Sequence, residues 1–579
     1  MEVVVGIDFG SSGSGFAYAY KNNEAEIIHG NIFGANVDNK APTEIILDDN
    51  NETLQFGFGC IKFIKEKGLE KGHYFKEIKM NLYEKKTYIK AKNSGKELPL
   101  KLVIQRVLEK LKDLAFEEIK KNRPNITLSK IKWVVTVPAI WQEFEKNIMM
   151  EASINAGLIT ESEDQSLFFA LEPEAASCYC SKNENIDQNL LKQGFCYIIC
   201  DLGGGTGDIV AHLIGENYSL KEIYPASGGD YGSDLINKRF FEDIIYKIFD
   251  CKDFNTFYKK YKQINENGEE VGILFNEWCE FEREIKDFKE GTDLKVVKNN
   301  EQYPIKCSIF QDIFNEDINI NELINNYNNK CNDDELKIKV KSAKKWIISF
   351  PYKIIYNYIK KQSFCICEII NTILKSSDEN INSIILVGGY CSNEILISEI
   401  KKELSSKIAY FLQPSKPYLS IMEGAVIFGL NPNQIAQRKA KYTIGIKIGE
   451  NWNEELHSKK GQKFYDKDKD ICLCINCFSP IITINQNLTL GQKIIQDFYM
   501  PFNDRYCIVN FYKTLKKNPV FIDEEGVEEV GQCELDTGKE YPKDQRDFSV
   551  TMRIGGTFID VKAKHKKSGK YIKTKLEFI

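Results

Sequence analysis

Two stretches nearly two hundred residues apart, VVVGIDFGSSGSGFAYAY from Val3 to Tyr20 and YIICDLGGGTGDIVAHLI from Tyr197 to Ile214, repeat one pattern. Each opens as an apolar run, reaches an aspartate (Asp8, Asp201), bends through glycines (Gly10 to Gly15, Gly203 to Gly207) and resumes as apolar alternation. That is the pattern of a β-hairpin with a glycine tip. Glycine accepts the positive φ of a tight turn and, lacking a Cβ, lets backbone N–H groups close on an anion. Two such tips facing each other form a clamp for a polyphosphate, and the aspartates at the strand ends offer Mg²⁺ the hard oxygen ligands it prefers. The repeat therefore predicts a nucleotide and Mg²⁺. A single tip reads equally well as an ordinary hairpin turn; the matched pair carries the argument. No GxxxxGK[ST] run is present, and neither tip gives a GxGxxG opening a helix.

The remaining composition narrows the class. With 42% hydrophobic and 28% charged residues the chain is an ordinary globular sequence, and 579 residues suffice for three or four compact units. A net charge of −5 speaks against a nucleic-acid binder working through a basic surface. No apolar run has membrane-spanning length, and the N-terminus lacks a basic start, an apolar core and a small-residue cleavage site, so the expected location is cytoplasmic. Seventeen cysteines are scattered and read as buried reduced thiols. Cys472, Cys474 and Cys477 form a CxCxxC run, yet a fourth ligand at metal spacing is missing and His457 stands alone upstream, so no metal centre is expected there. Five unclustered histidines leave a serine–histidine hydrolase without its parts.

Along the chain, strand signals alternate with helical spacing up to about residue 438, including a helix-like Leu100 to Lys120 and a VVTV strand ended by Pro138. Between about 291 and 345 the sequence turns polar, with NINELINNYNNKCNDDELKIK, and predicts an insertion running over the surface. From about 439 onward, alternating runs such as YTIGIKI, YCIVNFY and DFSVTMRI predict an antiparallel β unit.

The order of motifs, GIDFGSSGSG, VVTVPAIWQEFEKNIMMEASINAGL, EPEAAS, DLGGGTGD and SIILVGGYCSNEIL, resembles that of the actin and 70-kDa heat-shock ATPase superfamily over residues 1 to about 438. WQEF after Pro138 and FKEIKMNLY upstream most resemble the divergent member-12 branch of heat-shock protein family A. The ending DFSVTMRIGGTFIDVKAKHKKSGKYIKTKLEF resembles the late strands of the chaperone peptide-binding sandwich. The chaperones' helical lid and acidic, leucine-rich linker have no counterpart in this reading.

The resemblance implies an α/β fold: a duplicated actin-like (ribonuclease H-like) two-lobed nucleotide-binding domain, with lobe I at 1–190 and lobe II at 191–438, followed by a β-sandwich-like domain at 439–579. It implies ATP/ADP with Mg²⁺. Asp8 and Asp201 would hold the metal through water, with Asp208 near the attacking water, Glu172 arranging metal and water, and Lys79 meeting the γ-phosphate. Gly10, Ser11, Ser12, Gly13, Gly203, Gly204, Gly205 and Thr206 would line the phosphates, joined by Gly232. Glu282, Lys286, Gly388 and Gly389 would line the nucleoside. Each residue also has a plainer reading: a turn aspartate, a helix N-terminal acid at Glu172, a snorkelling lysine at Lys79, an exposed ion pair for Glu282 and Lys286. Ser392 stands where the chaperones carry an adenine-stacking arginine, and Ile285 where they carry a lysine.

Three functions fit: a slow, Mg-dependent ATPase acting as a conformational switch, chaperone-like, whose β domain binds extended polypeptide or a protein partner; a signalling or scaffold protein that binds ATP with little turnover; and a small-molecule kinase of the same superfamily.

Overall fold

The computed structural model describes residues 1–579 apart from 31–38, 68–70, 160–165, 183–185, 187–190, 253–255, 257–272, 308–318, 459, 467–470, 490, 500–504, 543–544, 556–557 and 578–579. The two glycine hairpins each stand at the middle of a mixed sheet. In the first sheet Val3–Asp8 pairs antiparallel with Gly13–Tyr20, which pairs on with Asn23–His29; on its other side it runs parallel to Ile131–Val137, itself parallel to Leu167–Leu171. In the second, Cys196–Leu202 pairs antiparallel with Gly207–Ile214, followed by Leu220–Gly229, and on its other side runs parallel to Ile381–Val387 and then Tyr410–Leu412. Strand order and direction are the same in both. The strand Cys196–Leu202 is buried on both faces: Ile198, Cys200 and Leu202 join one apolar cluster, Tyr197 and Ile199 another. A strand covered on both sides reads as a continuous apolar run rather than an alternation, and CYIICDL does.

Two helices close the inner side of the first sheet. Glu172–Cys180 packs against Ser420–Leu430 so tightly that a Cβ on Gly424 would lie 1.8 Å from the carbonyl oxygen of Ala175. Only glycine permits that crossing. The polar stretch expected as a surface excursion contains, in its described residues, the helix Ile320–Asn328 and strands Gln302–Lys306 and Lys339–Ser342, both paired with Ile347–Pro351. Ile305, Ile320, Ile324 and Ile338 from this stretch are buried in the second cluster.

Beyond residue 439 the strands form two antiparallel sheets. One has the order Lys463–Asp466, Ile471–Ile482, Thr443–Asn451, Tyr506–Thr514, Val527–Asp536; the other Lys493–Tyr499, Asp547–Ile554, Phe558–His565, Tyr571–Glu577. Phe511, Leu535, Val550, Val561 and Leu576 belong to one buried cluster fed from both sheets. A short strand of this region, Asn487–Thr489, leaves it and pairs with Ile435–Lys439, which runs parallel to Leu220–Gly229, so the second sheet ends on a piece of the β region.

Where that edge meets the helix Glu172–Cys180, Arg438 grips Glu174 in a bidentate pair, Nε and Nη2 donating at 2.6 and 2.5 Å, both side chains 3% exposed. Such a pair adds little net stability over an apolar substitute, but removing one partner strands the other charge away from water. Arg438→Met should therefore cost about 3–5 kcal/mol in urea unfolding, and Glu174→Gln in the same chain should recover much of the loss. Beside them Glu222 is pushed up to about 8, first by burial and then by the charge of Glu174, Arg438 opposing both. Folded Glu222 thus keeps its proton where the unfolded chain, near 4.5, has lost it. The folded state binds more protons across that window, so the group's contribution makes stability fall as pH rises from about 4.5 to about 8. Glu222→Gln should flatten that fall, a change of the order of a few kcal/mol in the unfolding free energy measured by urea denaturation across the pH range.

Candidate functional site

Because both hairpins end at the same edge of their sheets, their tips meet. A Cβ on Gly204 would fall 1.7 Å from Ser12 Oγ, and one on Gly205 would fall 2.3 Å from Ser11 Oγ and 2.4 Å from Met80 Sδ. The serines of the first tip thus lie directly on the glycines of the second. The second tip is braced from behind: the N–H groups of Gly232, Ser233 and Asp234 donate to the carbonyls of Gly205, Gly203 and Gly204 at 3.2, 3.2 and 2.8 Å. Asp234 also accepts from Ser12 Oγ at 2.6 Å, joining the tips. Within the second tip the Gly203 N–H donates to the Thr206 carbonyl at 3.0 Å, which commits that donor to the turn. In the first tip Thr43 Oγ1 donates to the Gly10 carbonyl at 2.7 Å, and Gly13 lies opposite Pro42.

Beneath the tips four buried carboxylates converge. Asp8 ends its strand opposite Gly15, whereas Asp201 lies directly opposite Asp208 in the second hairpin. Like charges placed so repel each other. Glu172 begins its helix and makes an ion pair with Lys79, which a short helix, Ile78–Tyr83, carries in from the side; the helix is entered through Glu77 at φ 60°. Lys79 also sits 5.6 Å from the centroid of the Trp141 ring. Lys40 Nζ meets Asp8 Oδ2 at 2.5 Å, and Thr136 Oγ1 donates to Asp8 Oδ1 at 3.4 Å. The backbone N–H of Ile140, just past Pro138, donates to Asp208 Oδ1 at 3.0 Å, while among the described residues the buried Asp208 Oδ2 has no hydrogen-bond partner.

Burial, then the neighbouring acids, raises Asp201 well above the carboxylate range. Burial also raises Asp208, against the Ile140 N–H. Glu172 is pushed up to about 7 by burial, the pull of Lys79 only partly offsetting it and the charges of Asp208 and Asp8 adding to it. Burial works against the Lys79 ammonium, but Glu172 and Asp8 hold its pKa above the ordinary value. Among the described residues four carboxyl groups thus face two ammonium groups, and the raised proton affinity of three of them marks an excess of acid that a hard divalent cation relieves. The donor set fits Mg²⁺.

The residues expected around a nucleoside are more dispersed. Gly388, at φ 87°, runs against the second hairpin, where a Cβ would lie 2.6 Å from Asp201 Oδ1; a Cβ on Gly389 would meet nothing within 4 Å. Glu282 pairs with Lys76 from the first half of the chain, and Lys286 lies 3.8 Å from Glu290, exposed. Ser392 is exposed, whereas Ile285 is fully buried in the apolar core beside Phe281 and Phe288. Lys40, Thr136, Trp141 and Asp234 belong to the site but were not singled out from sequence. Lys40 carries the one signal available, a basic residue just before the APTE segment, yet nothing local says that it reaches Asp8.

No protein-family model matches the chain. Among curated proteins it is 24% identical to human heat shock 70 kDa protein 12B and 25% identical to human heat shock 70 kDa protein 12A, in each case over 100% of this chain and 91% of the relative. A chaperone protein HscA homolog of Rickettsia africae is 29% identical over 44% of this chain and 38% of its own length. The mixed α/β arrangement fits an actin-type ATPase fold of the heat shock 70 kind. Among the described residues no helix is long and apolar enough to cross a membrane.

The brace behind the second tip admits a direct test. A Cβ on Gly232 would lie 2.1 Å from the Gly204 carbonyl oxygen, so Gly232→Ala should displace the tip and cost about 1–3 kcal/mol in chemical denaturation. Gly389→Ala, with open space around its Cβ, should stay within about 0.5 kcal/mol of the parent.

Proposed function

For a chain related along its whole length to the heat shock 70 kDa family, in its protein 12 branch, we propose an ATP-binding conformational switch with slow, Mg²⁺-dependent hydrolysis. The two sheets of like topology are the cores of two duplicated lobes, and the paired antiparallel sheets after residue 439 are a sandwich that takes extended polypeptide or a protein partner. The observation that carries the reading is the convergence of Asp8, Glu172, Asp201, Asp208 and Lys79 beneath two abutting glycine tips.

In this reading the tips separate to admit the triphosphate and close on it, Ser11, Ser12, Thr206 and the glycine backbone facing its oxygens. Asp8 and Asp201 would hold Mg²⁺ through water, and the ion when bound would supply charge neutralisation on those oxygens. Lys79, oriented by Glu172 and by the Trp141 face, meets the charge that develops on the γ-phosphate. Asp208, fixed through Oδ1 by the Ile140 N–H, turns its other oxygen to the attacking water and accepts its proton. Gly388 brings its turn against Asp201, and the open space beside Gly389 is left for the nucleoside. The commitment of the Gly203 N–H to its own turn favours a second reading, a scaffold that binds ATP with little turnover.

Calorimetry of ATP with Mg²⁺ on the purified chain, beside phosphate release by wild type and Asp201→Asn, separates these readings. The switch predicts saturable ATP binding by wild type and a turnover at least about 10²-fold lower in the variant, with its fold intact by circular dichroism. Binding with equally negligible turnover in both supports the scaffold. Absence of any adenine-nucleotide binding by wild type removes both.

A further inference from the structure

The β region gathers His457, Cys474 and Cys477, whose ligating atoms all lie within 4.8 Å of one another and whose side chains are buried. Spacing in sequence argues against this grouping. Residues three apart in a regular strand point to opposite faces of a sheet. Here the ladder between Thr443–Asn451 and Ile471–Ile482 is irregular: Ile448 faces Cys477 and Glu450 faces Cys474, so two residue steps on one strand oppose three on the other. The extra residue is a β-bulge, which resets the alternation and turns both sulfurs to the same side. His457 arrives from the last position of the short helix Glu454–His457, its Nε2 3.9 Å from Cys477 Sγ.

We propose that His457, Cys474 and Cys477 bind a thiophilic d¹⁰ cation, Zn²⁺, with a fourth position for water or another small ligand. Two thiolates and an imidazole form a donor set that selects Zn²⁺ over Mg²⁺ or Ca²⁺. With Zn–S near 2.3 Å and Zn–N near 2.0 Å, a tetrahedral edge between sulfur and nitrogen is about 3.5 Å, so the 3.9 Å separation requires only a small contraction.

The surroundings are built to hold the bulge. Asn476, fully buried at its crest, donates to the Lys460 carbonyl at 3.1 Å and to Asp523 at 3.0 and 3.1 Å, and accepts from the Gln462 N–H at 2.7 Å. Ile448, Trp452 and Phe521 pack around the sulfurs, giving an apolar shell, and the Trp452 ring centroid lies 5.5 Å from that of His457. Cys472, the remaining cysteine of the CxCxxC run, is outside the group.

Binding has a definite proton balance. The Asn453 N–H donates to His457 Nδ1 at 3.0 Å, which places the ring proton on Nε2, facing Cys477. Coordination at Nε2 moves that proton to Nδ1 and gives up the Asn453 contact, and the Cys474 hydrogen bond to Asn476 Oδ1 at 3.0 Å goes with its thiol proton. Two S–Zn bonds and one N–Zn bond form, two S–H bonds break, and both thiol protons leave to solvent; no electrons change hands.

The test uses the full chain under reducing conditions. After zinc loading and dialysis against a weak chelator, elemental analysis should find about one Zn²⁺ per chain, with about two protons released per ion on titration in a weakly buffered indicator solution. Co²⁺ in place of Zn²⁺ should give thiolate charge-transfer absorption and quench Trp452. Cys474→Ser with Cys477→Ser should abolish binding and His457→Gln should weaken it at least tenfold, whereas Cys472→Ser should leave it unchanged. Circular dichroism checks each variant's fold, and if the double serine variant fails to fold, the Co²⁺ spectrum and proton count of the wild type decide. Zinc lost by wild type to the weak chelator, a Co²⁺ spectrum without thiolate character, binding that survives in a folded double serine variant, or equal loss in Cys472→Ser would each overturn the proposal.

Discussion

Holding Asp8, Glu172, Asp201 and Asp208 together out of water is the constraint on which the rest of the arrangement depends. Burial raises the proton affinity of Glu172, Asp201 and Asp208, and the neighbouring acids raise that of Glu172 and Asp201 further. The fold answers with position. Lys79 is brought to Glu172 by a short helix entered through a left-handed residue, Lys40 is brought to Asp8 from the segment that pairs with the first tip, and a backbone N–H after Pro138 is aimed at Asp208. These devices offset part of the excess charge and leave the rest to be met from outside the chain. A site that is electrostatically incomplete by itself is one that a ligand can complete, and the balance shifts when it does.

The two halves supply unequal parts to this centre. Position for position the hairpins correspond, yet the residue facing the strand-end aspartate is Gly15 in one and Asp208 in the other. The first hairpin therefore keeps one acid with room beside it; the second concentrates two. The helix Glu172–Cys180 then connects the centre with the edge of the second sheet, since Glu172 at its start touches Lys79 and Glu174, two residues on, is held by Arg438. The helix is wholly buried and carries a charge contact at each of these places.

The legible features were those carried by local pattern. Glycine tips after apolar runs announced both hairpins, and the order of motifs drew attention to Lys79 and Glu172, which the structure indeed brings into contact. Long-range partners were hidden: nothing near Asp8 in sequence indicates Lys40, and nothing near Glu282, read as a nucleoside contact or one half of an exposed ion pair with Lys286, indicates Lys76. Composition hid the regular elements within residues 291–345, because Asn and Asp dominate the counting while isoleucines at intervals anchor a largely exposed segment to the second cluster. The grouping of His457 with Cys474 and Cys477 escaped for a different reason. Ligand-spacing rules assume regular elements, and a single bulge changes which side chains share a face.

The strand Asn487–Thr489 closes the second sheet with hydrogen bonds contributed from well inside the C-terminal region. Its consequence reaches beyond architecture to how the molecule can be divided. A fragment cut after Arg438 would bare the amides and carbonyls of what remains of that strand, from Ile435 to Arg438, a sticky β edge ready to recruit another copy. The boundary suggested by the change in sequence character is therefore not a clean seam, and the two regions are better regarded as stitched together than as beads on a string.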